Sequence, residues 1–194
     1  MSSIVLEGLE GSGELWLDIM RIICGDTAGK SMVDLGAHKA PYTSQLGFSE
    51  RTYVDVQDRP LDNPQEQQYF VQDDIINYLE RIERGPNVFV LSDTIEHLSV
   101  EDGYKVVDLM CQKGYKNIIF TPFGEYLIEK EKTSNPDSHR SGWIPQMLSA
   151  YTSVVLPHFH KSVGVGAFFA FNCNPQETER ISIEIKNKYI THGV

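Results

Sequence analysis

Cysteine is sparse in this chain: Cys24, Cys111 and Cys173 are the only three in 194 residues, and they stand far apart. That spacing makes neither a disulfide framework nor a CxxC metal or redox motif, so they read as small buried side chains in a reducing compartment. Long apolar runs are missing too. No stretch approaches the roughly 18–20 residues that cross a bilayer, and the N-terminus has no basic-then-apolar signal region; a cytoplasmic location without membrane contact is expected. Positive charge is in deficit, with 17 Lys and Arg against 27 Asp and Glu and a formal charge of −10. Proteins that grip nucleic acid through phosphates carry a basic face, and the nearest approach to one here is Lys186-Asn187-Lys188. Nucleic acid is therefore disfavoured as a partner. Internal repeats and low-complexity segments are absent as well, and residues 1–194 are expected to form a single domain with a sizeable core.

What is present is an alternation of strand-like and helix-like segments. ELWLDIMRIIC (14–24) reads as a helix ended by Gly25, and SMVDLG (31–36) as a buried strand closed by a glycine. PYTSQL (41–46) predicts one or two helical turns opened by Pro41. RTYVDV (51–56) and YFVQ (69–72) are further strands, and DDIINYLERIE (73–83) is an amphipathic helix with acidic residues in its first turn. NVFVLSD (87–93) and KNIIFTPF (116–123) are buried strands on either side of a helix over 99–114, with Ser99 as N-cap and Gly114 as stop. This order predicts an α/β fold: a doubly wound, mostly parallel sheet with ligands at the carboxyl ends of its strands.

The tail changes character. Residues 124–142 are polar and contain Asn135-Pro136, which predicts a loop or lid, and WIPQMLSAY (143–151) predicts a helix. TSVVLPHF (152–159) and VGAFFAFN (165–172) are spaced for an antiparallel hairpin, and SIEI (182–185) alternates like an exposed edge strand that a second copy would pair with as a homodimer.

Two segments near the N-terminus compete as cofactor sites. CGDTAGKS (24–31) nearly spells a phosphate loop, but Cys24 holds the place of its first glycine, and the segment leads from helix into strand rather than the reverse. The following turn, Gly36-Ala37-His38-Lys39-Ala40, does leave a strand. Asp55 closes the next strand 21 residues after Asp34 (55 − 34), the distance at which an acid reaches the hydroxyls of a ribose. The dinucleotide fingerprint GxGxxG keeps only its first glycine here, so a pyrophosphate would be poorly held, and a nicotinamide or flavin oxidoreductase is disfavoured. A cofactor with no phosphate at that point fits better.

At these residues the chain resembles the class I S-adenosylmethionine-dependent methyltransferases, small-molecule type, over about residues 14–172. Asp34-Leu35-Gly36 is similar to the start of the family's first motif, Asp55 to its ribose-binding acid, and Gln72-Asp73-Asp74 to its adenine segment. Leu91-Ser92-Asp93-Thr94-Ile95-Glu96-His97-Leu98 looks like the family's D-x-[IVL]-E-H-[IVL] segment. The family usually carries glycine where His38 and Ala40 stand. The resemblance implies a Rossmann-like sheet ending in a hairpin with a reversed last strand, S-adenosylmethionine as cofactor with S-adenosylhomocysteine as product, and a small-molecule acceptor methylated on oxygen or nitrogen. It places Asp34, Gly36, His38, Asp55, Asp73, Asp74 and Asp93 around the cofactor. His97, with Glu96 and His139, becomes the candidate catalytic set, and His139 and Trp143 are expected to close over the acceptor.

Plainer readings stand beside these. Asp34 and Asp55 can serve as strand-end caps, Asp73-Asp74 as a favourable helix N-terminus, and His97 as a loop-orienting imidazole. His158 and His160 share a strand face at metal-ligand spacing, but no cysteine or acid nearby in sequence completes the set, and no metal site is expected. The alternative to an enzyme is a non-catalytic protein that keeps the methyltransferase fold as a binding or scaffold partner. The DNA amino-methyltransferase motif Asn/Asp-Pro-Pro-aromatic and the Pro-Cys pair of cytosine C5 chemistry are both absent.

Overall fold

A computed structural model of the chain describes residues 3–58, 67–125 and 137–190. Its strands are β1 Ser3–Val5, β2 Ser31–Leu35, β3 Glu50–Asp55, β4 Gln68–Gln72, β5 Val88–Ser92, β6 Lys116–Pro122, β7 Thr152–His160 and β8 Val165–Asn172. They form one sheet in the order β1-β7-β8-β6-β5-β2-β3-β4. Every neighbouring pair is parallel except β6–β8 and β7–β8, so β8 alone runs backwards. This is the α/β, doubly wound architecture with a terminal antiparallel hairpin.

Buried runs such as VFVLS in β5 carry no polar alternation because both faces of the sheet are covered. One face packs beneath α1 (Gly13–Cys24) and α4 (Pro175–Tyr189) in a cluster that includes Ile19, Met20, Phe120 and Phe169. The other packs beneath α2 (Ile75–Arg81) and α3 (Val100–Lys113) around Leu91, Met110, Ile119 and Phe168. Ser12, Asp74, Ser99 and Asn174 cap the four helices, each side chain accepting from an amide of its first turn. After β2 the chain builds outward through β3 and β4, then returns to lay β5 on the other side of β2. That reversal opens a crevice between the carboxyl ends of β2 and β5, where ligands bind in such sheets.

Several expectations change. SIEI lies in α4: Ile181 and Ile185 are buried and Ile183 is 52% exposed. With Ile181 the alternation runs over five residues and contains the i, i+4 pair Ile181 and Ile185, which on a helix faces one side. The edge strand on which the homodimer expectation rested is therefore not formed. Residues 41–46 make a single 3-10 turn at Thr43–Gln45, and residues 143–151 another at Pro145–Leu148. Trp143 closes over nothing. It is fully buried under α3, its indole N–H donates to Ser141 Oγ at 2.8 Å, and a Cβ on Gly103 would come within 2.4 Å of its ring. Finally, β1, too short to read from sequence, extends the sheet beyond β7.

The greater part of the expected lid, residues 126–136, lies outside the described residues; its flanks are joined by the bond from Gly124 N to Trp143 O at 2.7 Å. No helix among the described residues is long and apolar enough to cross a membrane.

The two helices of one face are clamped to the sheet by a buried ammonium. Lys116, at the start of β6 and 2% exposed, donates to Ile23 O at 2.7 Å at the end of α1 and to Glu177 Oε1 at 2.5 Å in the first turn of α4. Lys116→Met keeps the apolar stem and leaves those acceptors unmet. It is expected to cost about 2–3 kcal/mol of stability, read as a lower urea midpoint at an unchanged slope.

Candidate functional site

The crevice holds a cavity of about 550 Å³, within the range of small-ligand sites. The turn after β2 forms its rim. Gly36 N and Ala37 N both donate to Val54 O at 2.8 and 3.1 Å, and His38 N donates to Asp55 Oδ2 at 2.8 Å. The turn takes left-handed backbone at every second residue: Gly36 at φ +72°, His38 at +48° and Ala40 at +48°. Two of these carry a side chain at a cost of about 1–2 kcal/mol each. At Gly36 even a methyl group is excluded, because a Cβ would lie 2.3 Å from Thr94 Cγ2 across the crevice.

Asp34, Gly36, His38, Asp55, Asp74, Asp93 and His97 all line this cavity. Asp34 is 2% exposed and accepts from Thr43 Oγ1 at 2.5 Å. Burial pushes its carboxyl up to about 7; the Thr43 hydroxyl opposes that shift and the charge of Asp55 adds to it. Asp55 accepts one amide on each oxygen, from His38 and from Gln57 at 2.8 Å, so each keeps a lone pair for a ligand hydroxyl. Its carboxyl too is raised by burial. Asp74 caps α2 through Ile76 N and Asn77 N, which is the plain reading, and it also lines the cavity. Asp73 is not among the lining residues; its carboxylate pairs with Arg81 at 2.6 Å.

Asp93 sits at φ +48° and opens onto the cavity floor. The residue is exposed as a whole, yet the protein crowded around its carboxyl raises it, and that neighbouring charge, after burial itself, raises Glu96 as well. Glu96 is buried behind the wall with Oε2 accepting from Thr121 Oγ1 at 3.0 Å. Its backbone carbonyl takes the amides of Arg140 and Ser141 at 2.7 and 3.1 Å, which delivers His139 against His97, ring centroids 4.9 Å apart at 75°. The three candidate catalytic residues are thus brought together, with His97 lining the cavity and Glu96 and His139 outside its lining, and burial holds the His97 imidazole below its usual range.

Sequence reading missed Trp16, Tyr42, Thr43 and Arg140 as lining residues. Trp16 and Tyr42 meet at 5.8 Å between ring centroids and form an aromatic wall. Nothing local marks them, because α1 reaches this spot only through its packing across the sheet. His158 stands on the hairpin beside Glu7, at 3.9 Å, away from the cavity lining.

No protein-family model matches the chain, and no curated protein is significantly similar in sequence. Solved structures are similar in fold. The N-methyltransferase NodS from Bradyrhizobium japonicum WM9 superposes with a TM-score of 0.63 at 15% identity, covering 84% of this chain and 95% of its own. The 1,6-didemethyltoxoflavin-N1-methyltransferase of Burkholderia thailandensis, crystallised with its substrate and S-adenosylhomocysteine, gives 0.59 at 13% identity over 84% and 78%. A SAM-dependent methyltransferase from Archaeoglobus fulgidus gives 0.54 at 15% identity over 84% and 95%. The chain has the class I S-adenosylmethionine-dependent methyltransferase fold.

Two stability measurements test this geometry. His38 is exposed and left-handed, so His38→Gly is expected to raise stability by about 1 kcal/mol in chemical denaturation. Asp34 carries a folded-state pKa of about 7 against 3.8 for the free side chain. A raised carboxyl contributes fully below the lower value and loses that contribution as pH climbs to the higher one. Between pH 4 and 7 the wild type should therefore lose melting temperature relative to Asp34→Asn, with a constant gap above pH 7.

Proposed function

We propose that this protein transfers a methyl group from S-adenosylmethionine to an oxygen or nitrogen of a small molecule. The observation that carries the reading is the convergence of Asp34, Asp55, Asp74 and Asp93, from the ends of four neighbouring strands, on one cavity beside an alternating left-handed turn. Its lining holds Asp137 as well, against Arg140 as the one Lys or Arg among the described residues. Such a field favours a ligand carrying positive charge, and the cofactor brings an ammonium together with the sulfonium that supplies the methyl group.

The residues fit that group. Asp55, with a free lone pair on each oxygen, takes the ribose hydroxyls. Asp74, beside Gln57 and Ile75, takes the adenine edge. Asp34 and Asp93 face the amino end of the methionine, where a cation restores the ionised form that burial disfavours. The turn from Gly36 to Ala40 closes over that end. Glu96, His97 and His139 are assigned to the acceptor side, where a hydroxyl or amine must shed its proton. Positioning supplies much of the remaining acceleration, since in-line transfer depends above all on holding the acceptor atom about 3–3.5 Å from the methyl carbon.

Calorimetric titration of cofactor-stripped protein with S-adenosylmethionine and S-adenosylhomocysteine, with ATP and NAD as controls, tests the reading. Micromolar binding of both sulfur ligands is expected, weakened at least about tenfold in Asp55→Ala. Absence of binding at millimolar ligand would sink it and leave the fold as a scaffold; preference for NAD would make it an oxidoreductase.

A further inference from the structure

One ligand atom each from Glu96, His97 and His139 lies within 4.8 Å of the others, two imidazoles and a carboxylate grouped where His97 meets the cavity. A cation bound at about 2.0–2.2 Å needs ligand-to-ligand separations of about 3–3.6 Å, so side-chain rotation of about 1 Å closes the set. Three further observations point the same way. His97 Nδ1 is buried with no well-formed hydrogen bond, the polar neighbours of the ring being the backbones of Ser138 and Asp93, and a cation would give that nitrogen a partner. The Glu96 carboxylate is already oriented by the Thr121 hydroxyl on Oε2, the kind of outer support that metal-ligating carboxylates receive. Lastly, the bonds from Arg140 N and Ser141 N to Glu96 O fix the segment that carries His139, so the third ligand is held by backbone.

We propose that Glu96, His97 and His139 bind one divalent first-row transition cation, and that the acceptor is a hydroxyl whose oxygen occupies an open position on it. Two nitrogens and one oxygen suit such ions better than magnesium or calcium, which favour all-oxygen sets, and three protein ligands leave room for substrate. The choice of oxygen over nitrogen acceptor rests on the methyltransferase reading; the cation site does not. In the transfer, the hydroxyl proton leaves to water under the cation's field. An oxygen–carbon bond forms as the carbon–sulfur bond of the cofactor breaks, and the sulfur keeps that electron pair as a thioether.

Chelator-stripped full-length protein titrated with Co²⁺ provides the test, followed by visible absorption and by equilibrium dialysis with metal analysis. The expected result is one Co²⁺ per chain with a d–d band that shifts on ligation. Affinity should fall by at least about 100-fold in His139→Ala and in His97→Ala, and by about tenfold in Thr121→Val, which keeps all three ligands. S-adenosylhomocysteine binding should change less than threefold in His139→Ala, which separates this site from the cofactor site. Stoichiometry near zero overturns the proposal even where the sulfur ligands bind, and so does Co²⁺ uptake unchanged in His139→Ala. Co²⁺ uptake lost with His139 while the sulfur ligands fail to bind upholds the metal site and overturns the methyltransferase reading alone.

Discussion

The turn after β2 hangs from the end of β3, and the rest of the site depends on that attachment. Val54 O accepts the amides of Gly36 and Ala37, and Asp55 accepts that of His38. One strand end therefore fixes the loop that would cover the cofactor and, in the same carboxylate, the acid that would take its ribose. The crevice behind it stays open only because no side chain grows from Gly36 into Thr94, whose hydroxyl bridges back to Ser92 O at 2.8 Å and Gly36 O at 3.3 Å. β2, β3 and β5 are thereby locked at their carboxyl ends in mutual register, and a ligand would meet a preorganised surface.

Electrostatics then divides this surface. Asp34, fully buried, is held above the ordinary carboxylate range by loss of water, and Asp93 is raised too although it opens to the cavity; at both, a nearby cation would favour the ionised form. Asp55, given two amides, is already paired and is suited to neutral hydroxyls. Acids of one residue type thus stand in two different settings. The cluster around His97 differs again: Glu96 and His97 are withdrawn from bulk water, and His139 reaches them from a distant segment.

Much of this was legible in the sequence because it is written in local periods and end signals. Each strand of the parallel core is an apolar run, and Ser99, Gly114, Gly25 and Asp74 mark helix ends where a chain must satisfy orphan amides or turn back. The acids follow strand ends, so finding the strands found Asp34, Asp55, Asp74 and Asp93. What escaped was non-local. SIEI is too short to separate a period of 2 from one of 3.6, and only burial of Ile181 and Ile185 against the sheet decides for the helix. Asp73 and Asp74 are neighbours of one type, yet Arg81 withdraws the first to an ion pair. Trp143 looked like a lid residue because its segment is polar, but the cleft left by Gly103 takes the indole inside. Trp16 and Tyr42 enter the wall from elements whose sequences carry no site signal.

The glycine turn is the point at which sequence and structure bear on function most directly. Read as letters, His38 and Ala40 look like erosion of a cofactor motif. Read as dihedral angles, the motif's alternation is intact, and the side chains are carried in conformations that ordinarily favour glycine. Among the described residues, four non-glycine positions have positive φ: His38, Ala40, Gln67 and Asp93. Three of those four line the same cavity. Strain of this kind persists where the surroundings over-determine it, and it gathers at ligand sites. A fold kept only as a scaffold has no need to hold unfavourable backbone around one acidic hollow, since a relaxed loop would serve its packing equally well. The concentration of strain at that rim therefore favours a protein that still grips a ligand there.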